Sequence, residues 1–176
     1  QIQFSLYNDT ATLMLDTSGP GLYKRGYRTE GVDAPLRETL AAGLVTLSRY
    51  RGRDPFCDPF CGSGTIVIEA ALIARNRAPG LNRSFAAQRW SRLSAQLWLD
   101  AADEAMDKEV HGSYDLWGGD IDPQAVELAR RNAERAEVDD LVRFQLADAA
   151  VFSRRESAGR IVANPPYGER IMEKDD

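Results

Sequence analysis

The chain has 176 residues, 43% hydrophobic and 28% charged, with a net charge of −5, the balance of a globular domain long enough for one core. No apolar run approaches the roughly 20 residues that span a bilayer, and the opening QIQFSLYNDT lacks the basic and apolar blocks of a secretory signal. No stretch of this sequence is expected to cross a bilayer as a helix, a cytoplasmic location is expected, and the acidic balance argues against nucleic-acid binding by bulk charge.

QIQFSLY and ATLMLD alternate apolar and polar residues around Asn8-Asp9, which predicts a β-hairpin. TSGPGLYKRGYRTEG, with four glycines and a proline, reads as a connector. APLRETLAAGLVTLSRY then places Leu36, Leu40, Leu44 and Leu47 on one helical face, with Asp33 and Pro35 near its start. PFCD is a short strand ending at Asp58, followed by a Gly-rich turn and the helix TIVIEAALIAR.

RNRAPGLNRSFAAQRWSR follows, with Arg75, Arg77, Arg83, Arg89 and Arg92, no acid, and Phe85 and Trp90 interleaved. It is either a phosphate-contacting strip with stacking aromatics or a solvated loop with two core aromatics. The charge distribution accompanies it: residues 1–92 hold 12 Lys/Arg and 8 Asp/Glu, residues 93–176 hold 10 and 19.

SAQLWLDAADEAMDKEV predicts a helix and DLWGGD a strand ending at Asp120. DPQAVELARRNAERAEV predicts a helix with Asp122 as N-cap and Pro123 at the first helical position, burying Val126, Ala129, Ala133 and Ala136. LVRFQLAD is a strand ending at Asp148, and RIVAN a strand ending at Asn164. Short strands alternating with helices predict an α/β fold with a parallel sheet and right-handed crossovers. Ligands of such sheets bind beyond the C-terminal strand ends, so Asp58, Asp120, Asp148 and Asn164 are expected to line one crevice.

The chemistry of those ends is specific. In DPFCGSGT, Gly62 and Gly64 let the backbone turn and approach a ligand, and the next helix aims free N–H groups at it. Dinucleotide-binding loops use G-x-G-x-x-G, but Val67 holds the third position and Asp58 precedes the loop. A carboxylate repels a pyrophosphate and pairs with an ammonium, which favours S-adenosylmethionine over NAD. Asp120 stands where cofactor domains bind ribose hydroxyls, Ile121 is placed to pack on an adenine, and Asp148 to accept from its amino group. In NPPY, the prolines fix the backbone and lack N–H groups. The Asn164 side-chain oxygen and the Pro165 carbonyl can both accept from one base NH2, directing its lone pair at a methyl donor, while Tyr167 offers a stacking face. Cys57 and Cys61 read as buried free thiols, because one distant histidine does not complete a zinc site.

Together these residues resemble the class I S-adenosylmethionine-dependent methyltransferases that act on exocyclic amines, whose four-residue motif serves adenine N6, cytosine N4, guanine N2 and glutamine N5. LDTSGPGLYKRGYR, APLRETLAAGL, DPFCGSGTIVIEAALIARNRAPGL, GGDIDPQAVELARRNAERA and NPPYGER are similar to one bacterial family. It comprises the THUMP-associated guanine-N2 methyltransferases of large-subunit ribosomal RNA, often labelled N6-adenine-specific DNA methylases. The resemblance implies a Rossmann-like sheet and S-adenosylmethionine bound by Asp58, Phe60, Gly62, Gly64, Asp120, Ile121, Asp148 and Asn164. It also implies a target base held by Asn164, Pro165 and Tyr167, with ribosomal RNA as partner, no metal, and no role for either thiol.

The expected division is a hairpin and linker over 1–31, beside a THUMP domain not in this sequence, and a methyltransferase domain over 32–176. That domain holds four of the seven strands of its class, so truncation is the expectation. Competing readings are a DNA adenine or protein glutamine methyltransferase, and a cofactor-binding module without catalysis.

Overall fold

The computed structural model describes residues 2–28, 36–153 and 158–166. Two strands, β1 (Ile2–Tyr7) and β2 (Thr10–Leu15), pair antiparallel across Asn8 and Asp9, both at positive φ. Asn and Asp tolerate that region best among residues with a Cβ, which suits a tight hairpin turn. Ile2, Phe4, Leu6, Leu13 and Leu15 share one face of the hairpin and are all exposed.

The other elements are α1 (Glu38–Leu47), β3 (Phe56–Asp58), α2 (Thr65–Arg75), α3 (Ala95–Asp107), β4 (Leu116–Asp120), α4 (Pro123–Arg135), β5 (Val142–Leu146) and β6 (Arg160–Ile161). The strands form a parallel sheet in the order β5-β4-β3-β6. Phe56, Leu116 and Val142 stand side by side in register, and with Phe144 they join residues of α1, α2 and α4 in one core. The next residues along, Cys57, Trp117, Arg143 and Ile161, belong to the opposite face, as the two-residue strand period requires. Both cysteines are buried and neither is in a disulfide.

The expected alternation of strands and helices is present, and two details sharpen it. Asp122 caps α4 by accepting from the Gln124 N–H at 2.8 Å, and Val126, Ala129, Ala133 and Ala136 are buried against the sheet. In α1 the leucine stripe is not the packed face. Leu40 and Leu47 are exposed, whereas Glu38, Ala41 and Val45 are buried. The reason is electrostatic as well as steric: Glu38 pairs with Arg28 at 2.9 Å, and that ion pair turns the Ala41–Val45 face inward, toward α2. Asp33 and Pro35 lie outside the described residues.

The stretch read as a connector is not loose. Asp16 accepts from the Ser18 and Gly19 N–H groups, and the Ala86 and Ala87 N–H groups donate to the Ser18 and Thr17 carbonyls. Tyr27 is 2% exposed and donates to Glu69 on α2 at 3.1 Å, with Arg25 paired to the same carboxylate. Burial raises the Glu69 carboxyl to about 6, with Arg25 and the Tyr27 hydroxyl opposing that rise. Residues 25–28 therefore pack as part of the sheet-bearing body. The boundary expected at residues 31 and 32 falls outside the described residues.

Candidate active site

The strand ends converge on a cavity of about 670 Å³ lined by Asp58, Asp120, Asp148 and Asn164. The register explains how. Asp58 closes β3 opposite Gly118, so β4 runs two residues further before Asp120 ends it. The chain after β3 follows that overhang: the Cys61 N–H donates to the Gly119 carbonyl, and the Gly62 N–H donates to Asp120 Oδ2 at 2.8 Å. Gly62 sits at φ +51, with open space where a Cβ would stand, beside the cavity. Asp120 Oδ1 accepts from the Asp122 N–H at 3.0 Å, so one carboxylate bridges the glycine loop and the start of α4.

Asp58 is 1% exposed and accepts from the Phe60 N–H at 3.0 Å; its other oxygen has no hydrogen-bond partner among the described residues. Burial pushes its carboxyl up to about 7, the Phe60 N–H opposes that rise, and nearby Asp120 adds to it. Asp148 lies two residues past β5 and accepts from the Ala150 N–H at 2.8 Å, which caps a short 3-10 turn at Ala149–Val151. Phe60 and Ile121 line the cavity and are 39% and 66% exposed.

On the far side stand Asn164, Pro165 and Pro166. The strand expected to reach Asn164 is shorter, since β6 covers Arg160–Ile161 and the ladder ends with the Val162 N–H on the Cys57 carbonyl at 3.1 Å. Proline disfavours further pairing, because it lacks an N–H and biases the residue before it. Asn164 is exposed and makes no hydrogen bond among the described residues, which leaves its amide available to a ligand. Tyr167 lies outside the described residues.

Gly64 sits at φ +82 outside the residues that line the cavity, and a Cβ there would meet Phe144 Cζ at 2.9 Å and Ala129 Cβ at 3.0 Å. Its missing side chain lets α2 close on the core. Gly64→Ala is therefore expected to destabilise the fold by about 1–3 kcal/mol, read as a lower denaturation midpoint. Gly62→Ala meets only the backbone strain and is expected to cost less. The reverse order would refute this account of the loop.

Ser63 and Thr65 were not singled out from the sequence. Both line the cavity at the start of α2, with their hydroxyl oxygens 3.3 Å apart. The signal was present in GSGT, where two hydroxyls flank a glycine at a helix N-terminus, a place that suits a carboxylate.

The Arg-rich stretch also divides. Arg75 pairs with Asp140 and the Glu137 carbonyl, Arg77 with Glu109 and Glu137, and Arg83 donates to the carbonyls of Ser18, Pro20, Gly21 and Lys24. These three tie the loop to the body instead of facing solvent as a strip. Phe85 stacks on Trp98 at 5.8 Å, so it belongs to the packing. Arg89 and Arg92 are exposed and make no ion pair among the described residues, and Trp90 between them is 38% exposed.

Residues 25–176 match the family described as RMKL-like, methyltransferase domain. YpsC of Bacillus subtilis (strain 168), provisionally named an RNA methyltransferase, is 46% identical over 99% of this chain and 46% of its own length. Ribosomal RNA large subunit methyltransferase K/L of Shewanella baltica (strain OS185) is 42% identical over 93% of this chain and 24% of its own length. The chain thus spans less than half of each of these relatives. A Listeria monocytogenes str. 4b F2365 structure, titled as a predicted N6-adenine-specific DNA methylase, superposes with a TM-score of 0.92 at 46% identity, over 98% of this chain and 46% of that one. SMU.472, a provisionally named methyltransferase complexed with SAH, gives 0.88 at 42% identity, over 96% and 44% of the two chains. With a match that runs from Arg25 through all four strand ends, the chain belongs to the RMKL-like methyltransferase domain family.

Proposed function

We propose that this chain is the catalytic part of an S-adenosylmethionine-dependent enzyme that methylates the exocyclic N2 amine of a guanine in large-subunit ribosomal RNA. The observation that carries this reading is the convergence of three carboxylates and Asn164-Pro165 on one cavity. The donor set fits the cofactor: a buried carboxylate with a free oxygen suits an ammonium, two hydroxyls at a helix start suit a carboxylate, and Asp120 and Asp148 suit ribose hydroxyls and an adenine amine. SAH in the SMU.472 structure supports that choice, and the Bacillus and Shewanella names support an RNA target.

S-adenosylmethionine supplies an electrophilic methyl group on a sulfonium. This chain's part is to hold the acceptor. Asn164 Oδ1 and the Pro165 carbonyl take hydrogen bonds from the two amine hydrogens, which turns the nitrogen lone pair away from the base ring's π system. Positive charge building on that nitrogen is stabilised by the same two dipoles, already fixed by the prolines. Phe60 and Ile121 give the cofactor side of the cavity two apolar side chains against which an adenine could pack. Arg89 and Arg92, with Trp90 between them, are the members of the expected strip that remain available to RNA phosphates and bases.

The test is incubation with labelled cofactor and deproteinised ribosomal RNA from a strain lacking the modification, followed by nucleoside mass spectrometry. N2-methylguanosine in large-subunit RNA is expected. The description of the Listeria protein as a DNA methylase favours a second reading, N6-adenine methylation of DNA, and transfer to DNA adenine alone would overturn the RNA guanine reading.

A further inference from the structure

Three carboxylates line the cavity of a protein whose net charge is already −5. A nucleic-acid strand that delivers a base there brings phosphates toward like charge. Screening confines that repulsion to roughly 8 Å at physiological salt, so only cations at the mouth can offset it. Most arginines near the connector and the glycine loop are already engaged: Arg25 with Glu69, Arg28 with Glu38, Arg77 with Glu109 and Glu137, and Arg83 with backbone carbonyls.

Arg37 is different. It follows Leu36, which lines the cavity, and immediately precedes α1. Its place is fixed, because Arg28 Nη1 donates to the Leu36 carbonyl at 3.1 Å while Arg28 Nη2 is held by Glu38. Its own side chain is exposed, has no carboxylate partner among the described residues, and lies over the Tyr23 ring with its guanidinium carbon 5.1 Å from the centroid. Stacking on a ring orders a guanidinium without neutralising it, and its edge still presents the planar fork that matches a phosphate.

We propose that Arg37, ordered by Tyr23, binds a backbone phosphate of the substrate RNA next to the nucleotide whose base enters the cavity. The site takes a phosphodiester of a single strand and reads no sequence, so it sets affinity and register rather than the rate of methyl transfer. This rests on the RNA reading above.

The experiment compares wild type with Arg37→Ala, Arg37→Glu, Arg37→Lys and Tyr23→Phe in methyl transfer to deproteinised large-subunit RNA, at several salt concentrations. Cofactor affinity by calorimetry and thermal midpoint are measured on each variant. Arg37→Ala is expected to raise KM for RNA several-fold, and Arg37→Glu further, with kcat at saturating RNA and cofactor affinity unchanged. The salt slope of RNA affinity should fall by about one. Arg37→Lys keeps the charge but not the fork and should fall between, and Tyr23→Phe keeps the ring and should match wild type. An unchanged KM and salt slope in Arg37→Glu would overturn the proposal while leaving the RNA reading intact. Loss of cofactor affinity or of the thermal midpoint in Arg37→Ala would also overturn it, by showing a structural role. If wild type modifies DNA or protein and no RNA, the RNA reading fails and this inference falls with it.

Discussion

Replacing Asn164 with alanine is expected to lower kcat by roughly 10²-fold or more, the usual cost of deleting one preorganised dipole at a reacting centre. The side chain is exposed at the cavity, bonds to nothing else among the described residues, and follows a strand that ends at Ile161, its ladder closed by the Val162 N–H. Its removal therefore leaves the core and the carboxylate side of the cavity in place. Cofactor affinity and the thermal midpoint should stay near wild type while transfer collapses. That pattern separates a role at the target amine from one in cofactor binding, where KM for cofactor would move instead. A variant that keeps its full kcat would remove Asn164 from the chemistry and with it the mechanism proposed here.

The second large effect is on pH. Burial raises the Asp58 carboxyl from its ordinary value of 3.8 to about 7. The folded protein then holds a proton there that the unfolded chain releases between pH 4 and 7, so this group's contribution to stability falls as pH rises through that window. The sign is the reverse of the common carboxylate case, where an ion pair lowers the folded value. Cofactor affinity should run the other way. An ammonium needs the ionised form, so affinity is expected to fall about tenfold per pH unit below about pH 7 and to level off above it. Calorimetry from pH 5.5 to 8.5 reads this directly. Asp58→Asn should weaken binding and flatten the profile, and it should raise apo stability above pH 7. Glu69, raised to about 6, adds a smaller stability change of the same sign, but it faces Tyr27 and Arg25 rather than the cavity and should not affect cofactor affinity. A wild-type affinity that does not vary across this range would exclude an ammonium beside Asp58.

The convergence of Asp58, Asp120, Asp148 and Asn164 was legible because it follows from topology alone: parallel strands linked by helices leave all their C-terminal ends on one side. The cap at Asp122 and the buried face of α4 were legible because both are local, set by residues one to four apart. Long-range pairing was what the sequence hid. Arg75, Arg77 and Arg83 looked like a free basic strip because their partners, Asp140, Glu109, Glu137 and the carbonyls of 18–24, lie more than 30 residues away. The outward turn of the α1 leucines has the same origin, since Arg28 anchors Glu38 from outside the helix. The packing role of Gly64 was hidden for the same reason, since nothing in GSG announces that Phe144 and Ala129 press against its second glycine.

Arg83 also gives the connector a mechanical property. A segment containing Gly19, Pro20, Gly21 and Gly26 has the composition of a swivel. Here one planar cation gathers four of its carbonyls, stacks on Phe85 at 5.0 Å, and is backed by the Ala86 and Ala87 N–H groups. Turning Gly19 or Gly21 would break several of these bonds at once. The glycines shape the bend, and Arg83 makes it a bracket that fastens residues 18–24 to the loop after α2.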